Sequence, residues 1–205
     1  MDVTGVILAG GKSRRMGEDK RFLKLGETTL LDRAQQAMRE VFQEVLVIIA
    51  QDSDPLVLSG ATVYRDLYPH CGSLGGLYTG ITYASHQRIF AVACDMPFLD
   101  PALIQWFVNR APDADVVVAR LDQGLQPLHA VYRKSVLPHM KQLIDLRELR
   151  IHALVSNPRL AVTTVSPEEW TDSGAALRSF HNLNAPEDVQ VARDELLRHS
   201  LRSDE

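Results

Sequence analysis

The chain has 205 residues, 45% of them apolar, and a formal charge of -4. That length suits one α/β domain with a full core, and the charge excludes an overall basic field for nucleic acid. Two distant cysteines, seven histidines without metal-ligand spacing and no apolar run near the ~20 residues of a membrane span exclude a disulfide scaffold, a zinc site and a transmembrane helix.

The chain opens on Met-Asp-Val-Thr, without the cationic start and long apolar segment of a signal peptide, so the expected setting is the cytoplasm. Val6-Ile7-Leu8-Ala9 has the length and branching of a buried parallel strand. It stops at Gly10-Gly11, where the backbone can turn and a ligand can come close. Five cations follow within ten positions: Lys12, Arg14, Arg15, Lys20 and Arg21. Backbone amides beside clustered cations make a phosphate cradle, and a cradle on an acidic chain favours a small anionic ligand over a polymer. The stretch is neither a P-loop nor a dinucleotide fingerprint. Gly5 lies ahead of the apolar run and cannot shape the loop after it, and Gly10 and Gly11 are adjacent.

Further along, Gly26-Glu27 reads as a turn. A helix is expected from about Thr29, with Leu30, Leu31, Ala34, Ala37, Met38, Val41 and Phe42 at helical spacing and Thr29 with Asp32 as a capping box. Val45–Ala50 is a second buried strand, which completes a βαβ unit. Thr62-Val63-Tyr64 is a short third strand ending at Arg65-Asp66. Gly72–Gly76 reads as a second glycine-rich loop ahead of a helix over Leu77–Ala84. Ile89–Cys94 is a fourth strand running straight into Asp95-Met96-Pro97-Phe98, and Asp100-Pro101 starts the next helix as cap and first residue.

Val116–Ala119 and Leu128–Tyr132 are expected to pair as a small antiparallel excursion from the main sheet, a lid or substrate-side subdomain. Helices are expected over Ser135–Ile144 and around Leu146–Val155, then a strand over Leu160–Val165. The last helix begins beyond Asn182-Leu183-Asn184-Ala185-Pro186 and runs to about Leu197. The pattern is a single domain over residues 1–198 with a polar tail, 199–205. In open parallel sheets ligands sit beyond the carboxyl ends of the strands, and both the first glycine turn and Asp95 lie there. Asp95, directly after an apolar strand and fixed by Met96-Pro97, suits the single carboxylate that a nucleotide-bound Mg²⁺ takes from protein. From the residues alone, Asp66 is equally a ligand or a surface turn.

Leu8-Ala9-Gly10-Gly11, Ser13, Arg15-Met16-Gly17 and Asp19-Lys20 together resemble the N-terminal signature of the molybdenum cofactor guanylyltransferase (MobA) family of nucleotidyltransferases. The resemblance continues through Asp66, Gly72–Gly76, Asp95-Met96-Pro97-Phe98, Gln126-Pro127-Leu128-His129-Ala130-Val131-Tyr132 and Asn182-Leu183-Asn184-Ala185-Pro186-Glu187. It implies a Rossmann-like three-layer α/β sandwich with a mostly parallel sheet. The implied activity transfers GMP from GTP to Mo-molybdopterin. Leu8, Ala9, Gly10, Gly11, Lys20, Asp66 and Asp95 would contact GTP. Arg15, Lys20 and Asp95 would carry catalysis, with Mg²⁺, or Mn²⁺ in its place, on Asp95. Gln126, Asn182 and Asn184 would lie towards molybdopterin. The implied partners are GTP and Mo-molybdopterin, with molybdopterin-delivering and molybdoenzyme maturation proteins beyond them, and neither nucleic acid nor membrane.

Three departures from the family pattern stand out. Ser73 replaces a proline, Ala185 replaces a threonine, and Ile48 falls where some relatives place a nucleotide-contacting Asn, for which Gln51 is the neighbouring substitute. Gly10-Gly11 points to GTP, since cytidylyl relatives tend to carry Ala-Gly there. The rival readings are a cytidylyl- or sugar-phosphate nucleotidylyltransferase on the same scaffold and a non-catalytic nucleotide-binding maturation factor.

Overall fold

The computed structural model describes residues 2–10, 19–170 and 177–203, with side chains as far as 196. Its centre is a seven-stranded sheet built from β1 (Val3–Leu8), β4 (Val45–Ile49), β5 (Thr62–Arg65), β6 (Arg88–Ala93), β7 (Val116–Leu121), β8 (Gly124–Arg133) and β9 (Val162–Val165). The spatial order is β5-β4-β1-β6-β8-β7-β9. The pairs β5–β4, β4–β1, β1–β6 and β7–β9 are parallel, and β8 runs against both its neighbours. A separate hairpin, β2 (Lys24–Leu25) with β3 (Thr28–Thr29), turns at Gly26-Glu27.

Alternation along the strands builds two cores. Ile7, Val47, Ile49, Phe90 and Val92 face α1 (Leu30–Val41) and α3 (Pro101–Asn109). Val6, Leu8, Leu46, Ile48 and Ala91 face α2 (Gly72–Tyr83), α4 (Leu137–Asp145) and α5 (Ile151–Val155). Continuous apolar strands covered by helices on both faces are what a parallel sheet requires. The last helix, α6 (Pro186–Ser203), packs Val189 and Ala192 with Leu25 and Leu30 beside the hairpin. The capping box on α1 is formed: the Thr29 hydroxyl accepts from Asp32 N–H and Asp32 accepts from Thr29 N–H, each at 3.1 Å. Asp100 caps α3, accepting from Ala102 N–H at 2.8 Å. Among the described residues no helix is long and apolar enough to cross a membrane.

Five sequence expectations need correction. β1 begins at Val3 and contains Gly5, where a Cβ would sit 2.7 Å from the Phe42 ring. Gly72–Gly76 is the opening of α2, not a loop. Leu74, Leu77 and Ile81 bury one face of that helix, and Gly80 lets it lie against β1, since a Cβ there would come within 2.5 Å of Val6 Cγ1. The antiparallel pair exists but is no lid, because β8 is hydrogen-bonded to β6 and belongs to the main sheet. Only Ile151–Val155 of the stretch 146–155 is helical, because Arg147 turns into the left-handed region at φ 59° and ends α4. Finally, α6 continues into the expected polar tail as far as Ser203.

Candidate active site

The ladder of the sheet extends one residue past several strand ends. Ala9 N–H donates to Ile48 O at 2.8 Å, Cys94 N–H to Leu8 O at 3.0 Å and Asp66 N–H to Ile49 O at 2.9 Å. These bonds fix the backbone at Gly10, Asp95 and Asp66, so the groups expected to do chemistry stand on the rigid edge of the sheet. Gly10 is held close to the neighbouring strand, and a Cβ there would lie 3.1 Å from Ala50 N.

Two connected compartments open along this edge. The first, about 310 Å³, lies between Ala9-Gly10, Lys20, Asp95, Leu128 and the pair Asn182 and Asn184. The second, about 590 Å³, lies between Ile48, Gln51, Asp66, His70 and the start of α2. Leu8, Gly10 and Ser73 border both.

In the first compartment Lys20 Nζ lies 3.2 Å from Asp95 Oδ2 and donates to Leu183 O at 2.6 Å. Leu183 N–H donates in turn to Asp95 O at 2.9 Å. Residues 75 and 163 positions from Lys20 are thus gathered around one ammonium. Asp19 is not a second free carboxylate. Arg21 N–H and Nε–H both donate to Asp19 Oδ1 at 3.0 Å and Arg21 Nη2 to Oδ2 at 2.5 Å, which holds this carboxyl below its ordinary value. Cys94, at the back of the compartment, is buried, and that burial pushes its thiol up to about 12, so it is not a nucleophile at neutral pH.

In the second compartment Asp66 Oδ1 accepts from Tyr68 N–H and from the Thr79 hydroxyl, each at 2.9 Å. Burial raises its pKa, and those two hydrogen bonds offset part of the rise. Gly75 makes room for the carboxyl: a Cβ there would lie 3.0 Å from Asp66 Oδ2 and 2.8 Å from Tyr68 O. His70 borders the compartment with its backbone at φ 66°, a left-handed conformation that a side chain rarely takes.

The structure therefore brings together Leu8, Ala9, Gly10, Lys20, Asp95, Asn182 and Asn184, and sets Asp66 in the adjoining compartment. Gly11 and Arg15 lie outside the described residues. Gln126 does not border either compartment; its amide donates to Gly124 O at 3.4 Å, and Leu128, two residues on, lines the cleft instead. From sequence Ser73 stands out only as a departure from the family pattern and Leu128 only within the Gln126–Tyr132 stretch, and His70 not at all, because an exposed ring residue carries no motif. No group of three His, Cys, Asp or Glu residues that could cage a metal occurs among the described residues. Asp95 offers a carboxylate in the cleft beside Lys20, which fits a divalent ion that arrives on a triphosphate and takes one or two protein carboxylates.

Comparison with known proteins agrees with this architecture. Residues 5–160 match the MobA-like NTP transferase domain. A probable molybdenum cofactor guanylyltransferase of Pelotomaculum thermopropionicum is 35% identical over 193 residues, covering 94% of this chain and 93% of the relative. The molybdenum cofactor guanylyltransferase of Desulfosudis oleivorans is 34% identical over 192 residues, covering 93% and 94%. The crystal structure of molybdopterin-guanine dinucleotide biosynthesis protein A from Archaeoglobus fulgidus superposes with a TM-score of 0.83 at 22% identity, covering 96% of this chain and all of that one.

Proposed function

The chain belongs to the family of MobA-like NTP transferases, and from that premise we propose that it transfers GMP from GTP to the terminal phosphate of Mo-molybdopterin, releasing pyrophosphate. The observation that carries this reading is the meeting of Lys20 and Asp95 at 3.2 Å beside the Ala9-Gly10 turn, in a cleft that continues to Asn182 and Asn184.

An oxygen of the acceptor phosphate bonds to the α-phosphorus, and the bond from that phosphorus to the bridging oxygen breaks, leaving its electron pair on pyrophosphate. The acceptor is already ionised, so no strong general base is needed. What the transfer needs is position and positive charge where negative charge grows. Lys20 supplies that charge, and the Gly10 backbone lets the phosphates approach. A magnesium ion, or manganese in its place, would be held by Asp95 and would neutralise phosphate charge while polarising the reacting phosphoryl oxygens.

The second compartment suits the nucleoside. Its walls at Leu8 and Ile48 are apolar, and Asp66, fixed at the end of β5, offers a carboxylate to accept from a base edge. Guanine offers an N1–H and an amino group side by side on one edge, where cytosine offers only the amino group. Ionised Asp66 therefore favours guanine. Gln51 borders the same compartment and takes the place of the amide that Ile48 lacks. Asn182 and Asn184 also border the first compartment, on either side of Leu183, which supports an acceptor role for them.

The test is to incubate the protein with Mg²⁺, molybdate-loaded molybdopterin and labelled GTP. The expected product is the guanine dinucleotide with stoichiometric pyrophosphate. Product from CTP alone would overturn the assignment of substrate. Nucleotide binding without pyrophosphate from any donor would overturn the assignment of reaction.

A further inference from the structure

The segment that carries Asn182 and Asn184 is tied to the domain at two points. The nearer is Leu183, bonded to Asp95 O and to Lys20. The farther is Ser179, four residues back and fully buried. Its hydroxyl accepts from Asp100 N–H at 3.0 Å and lies 3.0 Å from His129 Nε2. His129 is also fully buried, its ring 4.3 Å from Phe180, 5.0 Å from Phe90 and 5.3 Å from Phe107, centroid to centroid. The serine oxygen accepts from Asp100 with one lone pair and shares one further hydrogen bond with Nε2, whose direction follows the ring tautomer.

A histidine and a serine in an aromatic core give up their water for a single mutual bond, where an apolar pair would pack without that loss. What the polar pair adds is direction, because few settings of Ser179 satisfy both partners. The three partners belong to three parts of the site. His129 follows Leu128, which lines the cleft; Asp100 closes the loop that begins at Asp95; Ser179 begins the turn into Asn182–Asn184.

We propose that His129 and Ser179 are positioning residues that hold the Asn182–Asn184 arm in register with Asp95 for the acceptor substrate. The proposal rests on the acceptor role assigned above to Asn182 and Asn184. In the full-length protein, Ser179→Ala removes this bond together with the acceptor of Asp100 N–H, and His129→Phe removes only the bond to Ser179 while keeping the cage filled. His129→Phe should raise KM for the molybdopterin acceptor about fivefold, the worth of one such hydrogen bond, and Ser179→Ala by more, with KM for GTP and kcat each within about twofold. Ser179→Thr keeps the hydroxyl and should restore the acceptor KM. Hydrogen exchange at the Leu183 amide, bonded to Asp95 O, should quicken about tenfold in Ser179→Ala.

Unchanged Leu183 exchange, or an equal rise in both KM values, would overturn the positioning role, since the first means no tie and the second a general loosening. Asn182→Ala and Asn184→Ala leaving the acceptor KM unchanged would instead overturn the acceptor assignment of the arm, while Leu183 exchange would still decide whether Ser179 holds it.

Discussion

Replacing His129 by phenylalanine isolates the thermodynamic effect of one buried imidazole. Burial lowers the His129 pKa to about 3 in the fold, against roughly 6.5 for an unfolded histidine. Between those values the unfolded chain binds a proton that the native chain refuses. Stability from this site is complete above the unfolded value and falls with pH by about 1.4 kcal/mol per unit. At pH 4.5 the loss is therefore about 2.7 kcal/mol, a large share of the roughly 5–15 kcal/mol that holds a domain together.

His129→Phe has no such loss, but at neutral pH it forfeits the bond to Ser179, worth about 1 kcal/mol. The variant should be the weaker protein at pH 7 and the stronger at pH 4.5, with the two stability curves crossing near pH 6. Urea titrations followed by tryptophan fluorescence would measure this, as Trp106 and Trp170 flank Phe107 beside the imidazole. Carboxylates such as Asp19 titrate in both proteins and cancel in the difference. A difference between variant and parent that stays constant from pH 7 to pH 4.5 would show that the folded imidazole takes up its proton, and the reasoning would fail.

Three further outcomes are expected. GTP affinity should decline as pH falls through the raised pKa of Asp66, at a higher pH than an ordinary carboxylate near 3.8 would give; Asp66→Asn should bind weakly and lose this dependence, and calorimetry from pH 4 to pH 7 would detect either result. Gly80→Ala places a methyl 2.5 Å from Val6 Cγ1 and should cost about 1–3 kcal/mol by overpacking; a denaturation midpoint unchanged from the parent would mean that α2 can ride outward freely. Asp95→Asn keeps the shape but not the charge, and should cut turnover by a factor on the order of 10²–10³ while the fold remains, as read by pyrophosphate release and circular dichroism.

The strands were legible because their sequences leave little choice. Val45–Ile49 and Ile89–Ala93 are apolar at every position, and such runs fit only a sheet covered on both faces. The start of α2 was not, because glycine in sequence signals freedom whereas in the fold it signals contact. Gly75 and Gly80 are glycine because Asp66, Tyr68 O and Val6 stand where a Cβ would go, and the residue pattern around each glycine does not reveal which neighbours the fold will bring there. The β7–β8 pair was read correctly as antiparallel and wrongly as a lid or substrate-side subdomain, for a similar reason. Residues 116–132 do not reveal that Val92 lies opposite His129 and draws β8 into the main sheet. The side chains Lys20, Asp66 and Asp95 could be named from motif order, but the Lys20 contact to Leu183 could not, since a backbone carbonyl carries no residue identity.

That contact bears on how the nucleotide enters. An ammonium has three protons to donate. Asp95 Oδ2 and Leu183 O engage two of those on Lys20, which leaves one for a phosphate oxygen with neither existing bond broken. The ammonium is already fixed between a strand end and the Asn182–Asn184 arm before any ligand arrives, so little side-chain entropy remains to be lost on binding. The same two bonds make the halves of the site interdependent. A change that pulls Leu183 away from Asp95 also releases Lys20, and a loss on the acceptor side then reaches the phosphates. The Ser179 tie stands farther from Lys20 than Leu183 does, so cutting it should act on the acceptor first, and the separation of the two KM values measures how far the loosening travels.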